Sequence, residues 1–142
     1  VEVLLVSPDP RSRELMALTV GGIERRLGVQ LRFRAAANGD LGTRAALRDR
    51  PDVVIADEIA SRAGAFGLTR TLRDAVVPFT GIVVILLERR YDAWLARWSG
   101  ADAWWVKPVD PFVVADRLVE LLGERAGLVA PPGKAAGERE SA

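Results

Sequence analysis

The chain has 142 residues, 49% of them hydrophobic and 27% charged, which places it as one domain that buries roughly 68% of its unfolded surface without a metal or disulfide staple. Neither cysteine nor histidine occurs, so zinc-finger ligand sets, thiol or imidazole nucleophile–base pairs, iron–sulfur clusters and the near-neutral imidazole proton shuttle are all excluded. Twenty basic against nineteen acidic residues leave a formal charge of +1, too little to draw the chain to nucleic acid or anionic lipid, and only two of the twenty are lysine, Lys107 and Lys134.

In chain order, short apolar runs alternate with helix-like stretches. The runs Val3–Val6, Val29–Ala35, Val53–Ala56, Ile82–Leu87 and Ala103–Val106 read as five strands. Three of them lack polar alternation, as strands buried on both faces do. Val29, Leu31, Phe33 and Ala35 instead alternate with Gln30, Arg32 and Arg34, which places the second strand at an edge. Between the first two strands, Met16, Val20, Ile23 and Leu27 form one apolar stripe on a helix from about Arg11 to Leu27, weakened by Gly21 and Gly22. A second helix is expected near Leu41–Arg48, a third from about Gly67 to Ala75, and a fourth from about Asp92 to Ser99, ending at Gly100.

The last helix has Asp110 as its N-cap, Pro111 in its first position, Val114, Leu118 and Leu121 on one face and Gly123 as its stop. From residue 124 onward Ala, Gly, Pro and charge dominate, the composition of a flexible tail or linker. The longest apolar run has six residues against the roughly 20 of a spanning helix, so no membrane segment is expected. No signal-peptide pattern is visible, and Val1 is read as a trimmed end.

The sum is an α/β domain over residues 1–123. It is a (βα)5 doubly wound, flavodoxin-like five-stranded parallel sheet, in which functional groups sit at the carboxyl ends of the strands. Those ends carry Ser7, Pro8 and Asp9 after the first strand, Asp57 after the third, Leu87 and Glu88 at the fourth, and Lys107 before Pro108 after the fifth. The segments VLLVSPDP (residues 3–10), PDVVIAD (51–57) and GADAWWVKP (100–108) resemble the receiver domains of two-component response regulators.

The resemblance covers about residues 1–123 and implies the strand order 2-1-3-4-5 and a cytoplasmic signalling role rather than an enzyme. It also implies that Asp57 stands at the phosphoacceptor position, and that Lys107 stands where a lysine contacts the phosphoryl oxygens. Mg²⁺ in the family is held by the acceptor together with two acids after the first strand. Here Ser7 and Pro8 replace that pair and only Asp9 remains nearby, so Asp9 and Asp57 are the remaining candidate metal ligands. At the switch positions Leu87 or Glu88 stands in place of the usual hydroxyl, and Trp104 takes the aromatic position. The connection from the fourth strand to its helix is about three residues short, and Ile59 and Ala60 replace the usual Met-Pro pair.

Two functional readings follow. In one the chain is a pseudo-receiver acting by protein contact, without aspartyl phosphorylation or a cofactor. In the other it is a Mg²⁺-dependent phosphoacceptor fed by a histidine kinase. A third, a flavodoxin-like small-molecule binder, lacks both GxxxxGK[ST] and GxGxxG. Asp9 has a structural alternative as the cap of the first helix, and Asp57 with Lys107 as a structural ion pair. Of the four tryptophans, Trp94 and Trp105 are expected in the core, and Trp98 and Trp104 on an exposed face formed by the fourth helix, fifth strand and fifth helix. That face is expected to serve a protein partner or a homodimer. Arg25, Arg26, Arg32 and Arg34 interleave with acidic residues and read as solvated faces, not as a nucleic-acid patch.

Overall fold

The computed structural model describes residues 1–58 and 64–125; Ile59, Ala60 and most of the expected tail lie outside the described residues. Five strands, β1 (Glu2–Val6), β2 (Arg32–Ala36), β3 (Val53–Asp57), β4 (Ile82–Leu87) and β5 (Ala103–Val106), pair in parallel in the order β2-β1-β3-β4-β5. The helices are α1 (Pro10–Val20), α2 (Ile23–Leu27), α3 (Gly39–Asp49), α4 (Gly64–Asp74), α5 (Ala93–Ser99) and α6 (Pro111–Arg125), with a 3₁₀ turn at Arg90–Asp92 before α5. No helix among the described residues is long and apolar enough to cross a membrane.

Successive strand residues point to opposite sides of the sheet, and both sides are covered. Val3, Leu5, Ile55, Val84, Leu86 and Trp105 pack with Met16, Val20, Val114 and Leu118 of α1 and α6. Leu4, Val6, Val54, Ile85, Leu87 and Trp104 pack with Ala46, Leu68, Leu72 and Ala96 of α3, α4 and α5. The absence of polar alternation in β1, β3 and β4 is therefore the imprint of a two-sided core. Helix α3 packs closely at Gly42, where an added Cβ would meet Val6 of the sheet and Leu68 of α4 at 2.9 Å.

The two adjacent tryptophans of β5 follow from the same rule. Trp105 faces the α1–α6 core as expected. Trp104 does not lie on an exposed face: it is 4% exposed beneath α5, with the Arg97 guanidinium 5.8 Å from its ring centroid. Trp94 is not in the core either. Helix α5 turns Ala96 and Ser99 toward the sheet, so Trp94, 62% exposed, and Trp98, 57% exposed, share its outer face one turn apart.

Three boundaries differ from the sequence reading. The first helix is two, because at Gly21 and Gly22 the hydrogen bonds change to i→i−3, from Gly21 to the Leu18 carbonyl and from Glu24 to that of Gly21. The second strand starts at Arg32 rather than Val29, since the Leu31 N–H donates to the Glu24 carboxylate at 3.0 Å. Its residues 32–35 are exposed, as an edge strand requires. Gly123 does not end the last helix, which continues to Arg125, while Asp110 caps its start by accepting from Phe112 N–H at 2.9 Å.

The Gly100–Ala101–Asp102 segment has a structural role. Gly100 closes α5 at φ 95°, a conformation that side chains rarely adopt, and its carbonyl accepts from Arg73 of α4 at 3.0 Å. The Asp102 carboxylate receives both the Arg73 guanidinium and the Val83 N–H, each at 2.8 Å. Those bonds clamp α4 to the entrances of β4 and β5, and so fix the register that carries Lys107 to the far edge.

Candidate functional site

The strand register assembles the site. Val6 pairs with Ala56 and Leu86 with both Asp57 and Trp105, so residues just beyond these pairs form one row across the carboxyl edge. The ladders extend one residue into that row. Ser7 N–H donates to the Ala36 carbonyl at 3.1 Å, Glu58 N–H to that of Leu86 at 2.9 Å and Lys107 N–H to that of Leu87 at 2.9 Å. Backbone, not loop chance, therefore places Ser7, Asp57 and Lys107 together.

Asp57 is 1% exposed, a position in which an ionised carboxylate is unfavourable unless it is paired and hydrogen-bonded. Both of its oxygens are engaged. Oδ2 accepts from the Ser7 hydroxyl at 2.9 Å, and Oδ1 from the Lys107 ammonium at 2.6 Å. Lys107, its side chain 28% exposed, reaches a second carboxylate, Glu88, at 2.5 Å. The Arg13 guanidinium donates to the Ser7 carbonyl at 2.5 Å, bringing a second positive charge to the same corner.

Burial acts to lower the Lys107 ammonium pKa, but hydrogen bonds and attraction from Asp57 and Glu88 outweigh it and hold the group above the usual lysine value. The stabilisation is complete below that usual value and is lost as pH rises through the folded one. Next to the row, burial and then the Asp92 carboxylate push Glu58 up from the ordinary range, opposed by the backbone N–H groups of Glu88 and Arg89. A raised carboxyl works the same way: its contribution is full below the usual glutamate pKa and fades as pH climbs through the folded value.

The candidate residues separate on this geometry. Asp57 and Lys107 are brought together. Asp9 is an N-cap, accepting from Arg11 N–H at 2.9 Å, and its own N–H donates to the Ser7 hydroxyl at 3.2 Å. Leu87 is buried in the core and Glu88 is the residue that meets Lys107, so of the two switch candidates beside Trp104 only Glu88 faces the site. Sequence reasoning missed the contributions of Ser7, Arg13 and the Glu58–Asp92 pair. Ser7 was reachable by counting the register one residue past Val6; Arg13 and Asp92 depend on helix and turn geometry that no local pattern carries.

The described side chains around Asp57 supply few of the oxygen ligands that Mg²⁺ takes. That ion takes oxygen ligands in near-ideal octahedral geometry, anchored on carboxylates. Here the Ser7 hydroxyl donates a hydrogen bond to Asp57, Asp9 turns to its helix, and Lys107 and Arg13 bring two positive charges to the Asp57–Ser7 corner. Among the described residues no three acidic side chains converge on a metal-sized site.

A 2-1-3-4-5 sheet with an aspartate and a lysine on its carboxyl edge defines a receiver-type protein, and comparison with known proteins agrees. The chain is 30% identical over 122 residues to an uncharacterized response regulatory protein of Mycobacterium tuberculosis, from strains H37Rv and CDC 1551, covering 86% of this chain and 91% of that protein. No protein-family model matches.

Among solved structures, it superposes on the signal receiver domain of a histidine kinase from Syntrophus aciditrophicus with a TM-score of 0.71 and 24% identity, covering 94% of this chain and 98% of that one. A response regulator receiver domain protein from Clostridium thermocellum gives a TM-score of 0.74 at 17% identity, covering 91% and 99%. The chain belongs to the response regulator family, and its fold is the CheY-like receiver fold.

Removing the lysine tests the ion pair. Lys107→Met is expected to cost about 3 kcal/mol in urea denaturation, the low end for breaking a buried pair because the lysine is partly exposed. Adding Asp57→Asn should recover most of that loss, since no buried charge then lacks a partner. A loss below about 1 kcal/mol would class the pair with surface salt bridges.

Proposed function

We propose that this receiver is a cytoplasmic regulatory module that signals through protein contact, with Asp57 serving as a structural carboxylate rather than as a phosphoacceptor. The observation that carries the reading is the engagement of both Asp57 oxygens: Ser7 holds one and Lys107 the other. Phosphoryl transfer needs one of those oxygens as nucleophile and a cation to neutralise the incoming charge. The reading is supported by the described residues, among which no three acidic side chains gather to hold a cation, and by Glu88 at the switch position, which adds a negative charge that repels a phosphoryl group.

The contact surface in this reading is the outer face of α5 and the turn before it. Tyr91, Trp94 and Trp98 are all more than half exposed. Arg89 lies 5.0 Å from the Tyr91 ring centroid and Arg70 of α4 lies 5.5 Å from that of Trp98. Aromatic rings with stacked arginines are the residue types that concentrate binding energy in protein interfaces. A second copy of the chain or another protein would bury this surface. Trp104 takes no direct part in it, being covered by α5.

A second reading is favoured by one specific feature: the acceptor aspartate and its lysine are both present and 2.6 Å apart. In that reading a histidine kinase phosphorylates Asp57, and Lys107 transfers its contact from the carboxylate to the phosphoryl oxygens.

Tryptophan emission separates the two, because Trp104 and Trp105 stand on the strand that ends at Lys107. Titration with Mg²⁺ and beryllofluoride, a phosphoryl mimic, is expected to leave the emission unchanged. Saturable quenching that disappears in Asp57→Asn would establish the phosphoacceptor reading instead. The contact surface has its own test. Trp94→Ala with Trp98→Ala should change folding stability by no more than about 0.5 kcal/mol per site, as exposed substitutions do, and should abolish association in sedimentation velocity. Assembly equal to that of the unsubstituted chain would remove this surface from the account.

A further inference from the structure

On the opposite side of the sheet from the aromatic surface, a cavity of about 490 Å³ opens between α1 and the β5–α6 connection. Its walls are Leu15, Met16, Leu86, Pro108, Val109 and Pro111, and Ser12 and Thr19 add hydroxyls. Asp57 and Lys107 also line it, so an apolar chamber adjoins the ion pair at the sheet's edge. The volume lies within the range of small-molecule sites, and the composition, mostly apolar with a few convergent polar groups, is theirs as well.

We infer that this cavity is a binding site for a small uncharged organic molecule, one with an apolar body and a carbonyl or hydroxyl oxygen that accepts a hydrogen bond from Lys107. The charges around the polar end decide the class. The charged groups that line the cavity are Asp57 and Lys107, paired with each other, and Glu88 also holds the ammonium, so an incoming anion meets a cation already engaged by two carboxylates. An ammonium has three N–H donors. Two of them meet Asp57 and Glu88, and the third has no acceptor among the described residues. A ligand oxygen fits that donor without displacing either carboxylate.

A carboxylate or phosphate would have to displace Asp57 or Glu88 from the ammonium, or lie close beside both carboxylates in a mostly apolar cavity, which costs more than seating a neutral oxygen. The apolar body would cover Met16 and Leu86, both already continuous with the core beneath. The occupant would therefore join α1 to the segment that carries Lys107 through Pro108 and Val109, and it would report its presence to the strand that holds Trp104 and Trp105.

The neutral naphthyl ketone Prodan tests this directly, since its emission shifts to the blue on leaving water. Saturable one-to-one binding to the full chain is expected. The analogue carrying a carboxylate in place of the ketone should bind at least about tenfold more weakly, from the cost of seating its charge. Leu15→Trp, at the exposed lip, and Val109→Trp, on the other wall, should each weaken Prodan by about tenfold or more by filling the space. Two variants are used so that misfolding of one, detected by circular dichroism, leaves the other to decide. Absence of saturable binding, equal affinity for the carboxylate analogue, or Prodan affinity unchanged in a folded variant would overturn the site.

Discussion

A carboxylate buried to within 1% of complete exclusion from water cannot stand alone, and the upper edge of this protein is organised around that constraint at Asp57. Three elements converge to satisfy it. β1 supplies the Ser7 hydroxyl, β5 supplies the Lys107 ammonium, and the turn after β4 supplies Glu88 to hold the lysine in place. Arg13 from α1 then secures the Ser7 carbonyl. Removing any one member leaves a charge or a donor without its partner, so the arrangement behaves as a unit rather than as a sum of pairs.

In the proposed reading this closure is what sets Asp57 apart from a phosphoacceptor. The family's arrangement, as its resemblance implies, leaves aspartate oxygens open to a metal ion and a phosphoryl group. Here the Ser7 hydroxyl and the Lys107 ammonium each contact one oxygen of Asp57. In the proposed reading signalling rests on surfaces and cavities, and two candidates lie on opposite sides of the sheet. One is the aromatic outer face of α5, and the other is the apolar chamber between α1 and β5–α6. Both lie close to β5, whose two tryptophans face opposite cores.

Much of this was legible in the residues. Uninterrupted apolar runs at Val53–Ala56 and Ile82–Leu87 can only belong to strands covered on both faces, and the polar alternation around Phe33 marks an edge. The sheet order followed from the family resemblance and is the order observed. Asp57 and Lys107 were found because strand ends are where such a fold displays its polar groups. The tryptophans were harder, because burial there depends on which side of a short helix faces the sheet. Seven residues of α5 carry too little periodicity to decide that, and Ala96 with Ser99, the small inward pair, was the signal that Trp94 and Trp98 point out together. For Trp104 the adjacent Trp105 obscured the pattern, since strand neighbours alternate and a two-sided core accepts both. The split of the first helix at Gly21–Gly22 was anticipated as weakness, and the hydrogen-bond pattern turned weakness into a break.

The central claim is that Ser7 and Lys107 close the Asp57 carboxylate against a divalent cation, and paramagnetic NMR addresses it at the residues concerned. In a titration with Mn²⁺, which substitutes for Mg²⁺ at oxygen sites and broadens nearby resonances, the amides of Ser7, Asp57, Glu58 and Lys107 are expected to keep the intensity of the remaining signals. Selective, saturable loss of those four, reversed by excess Mg²⁺, would contradict the account and restore a metal to the site.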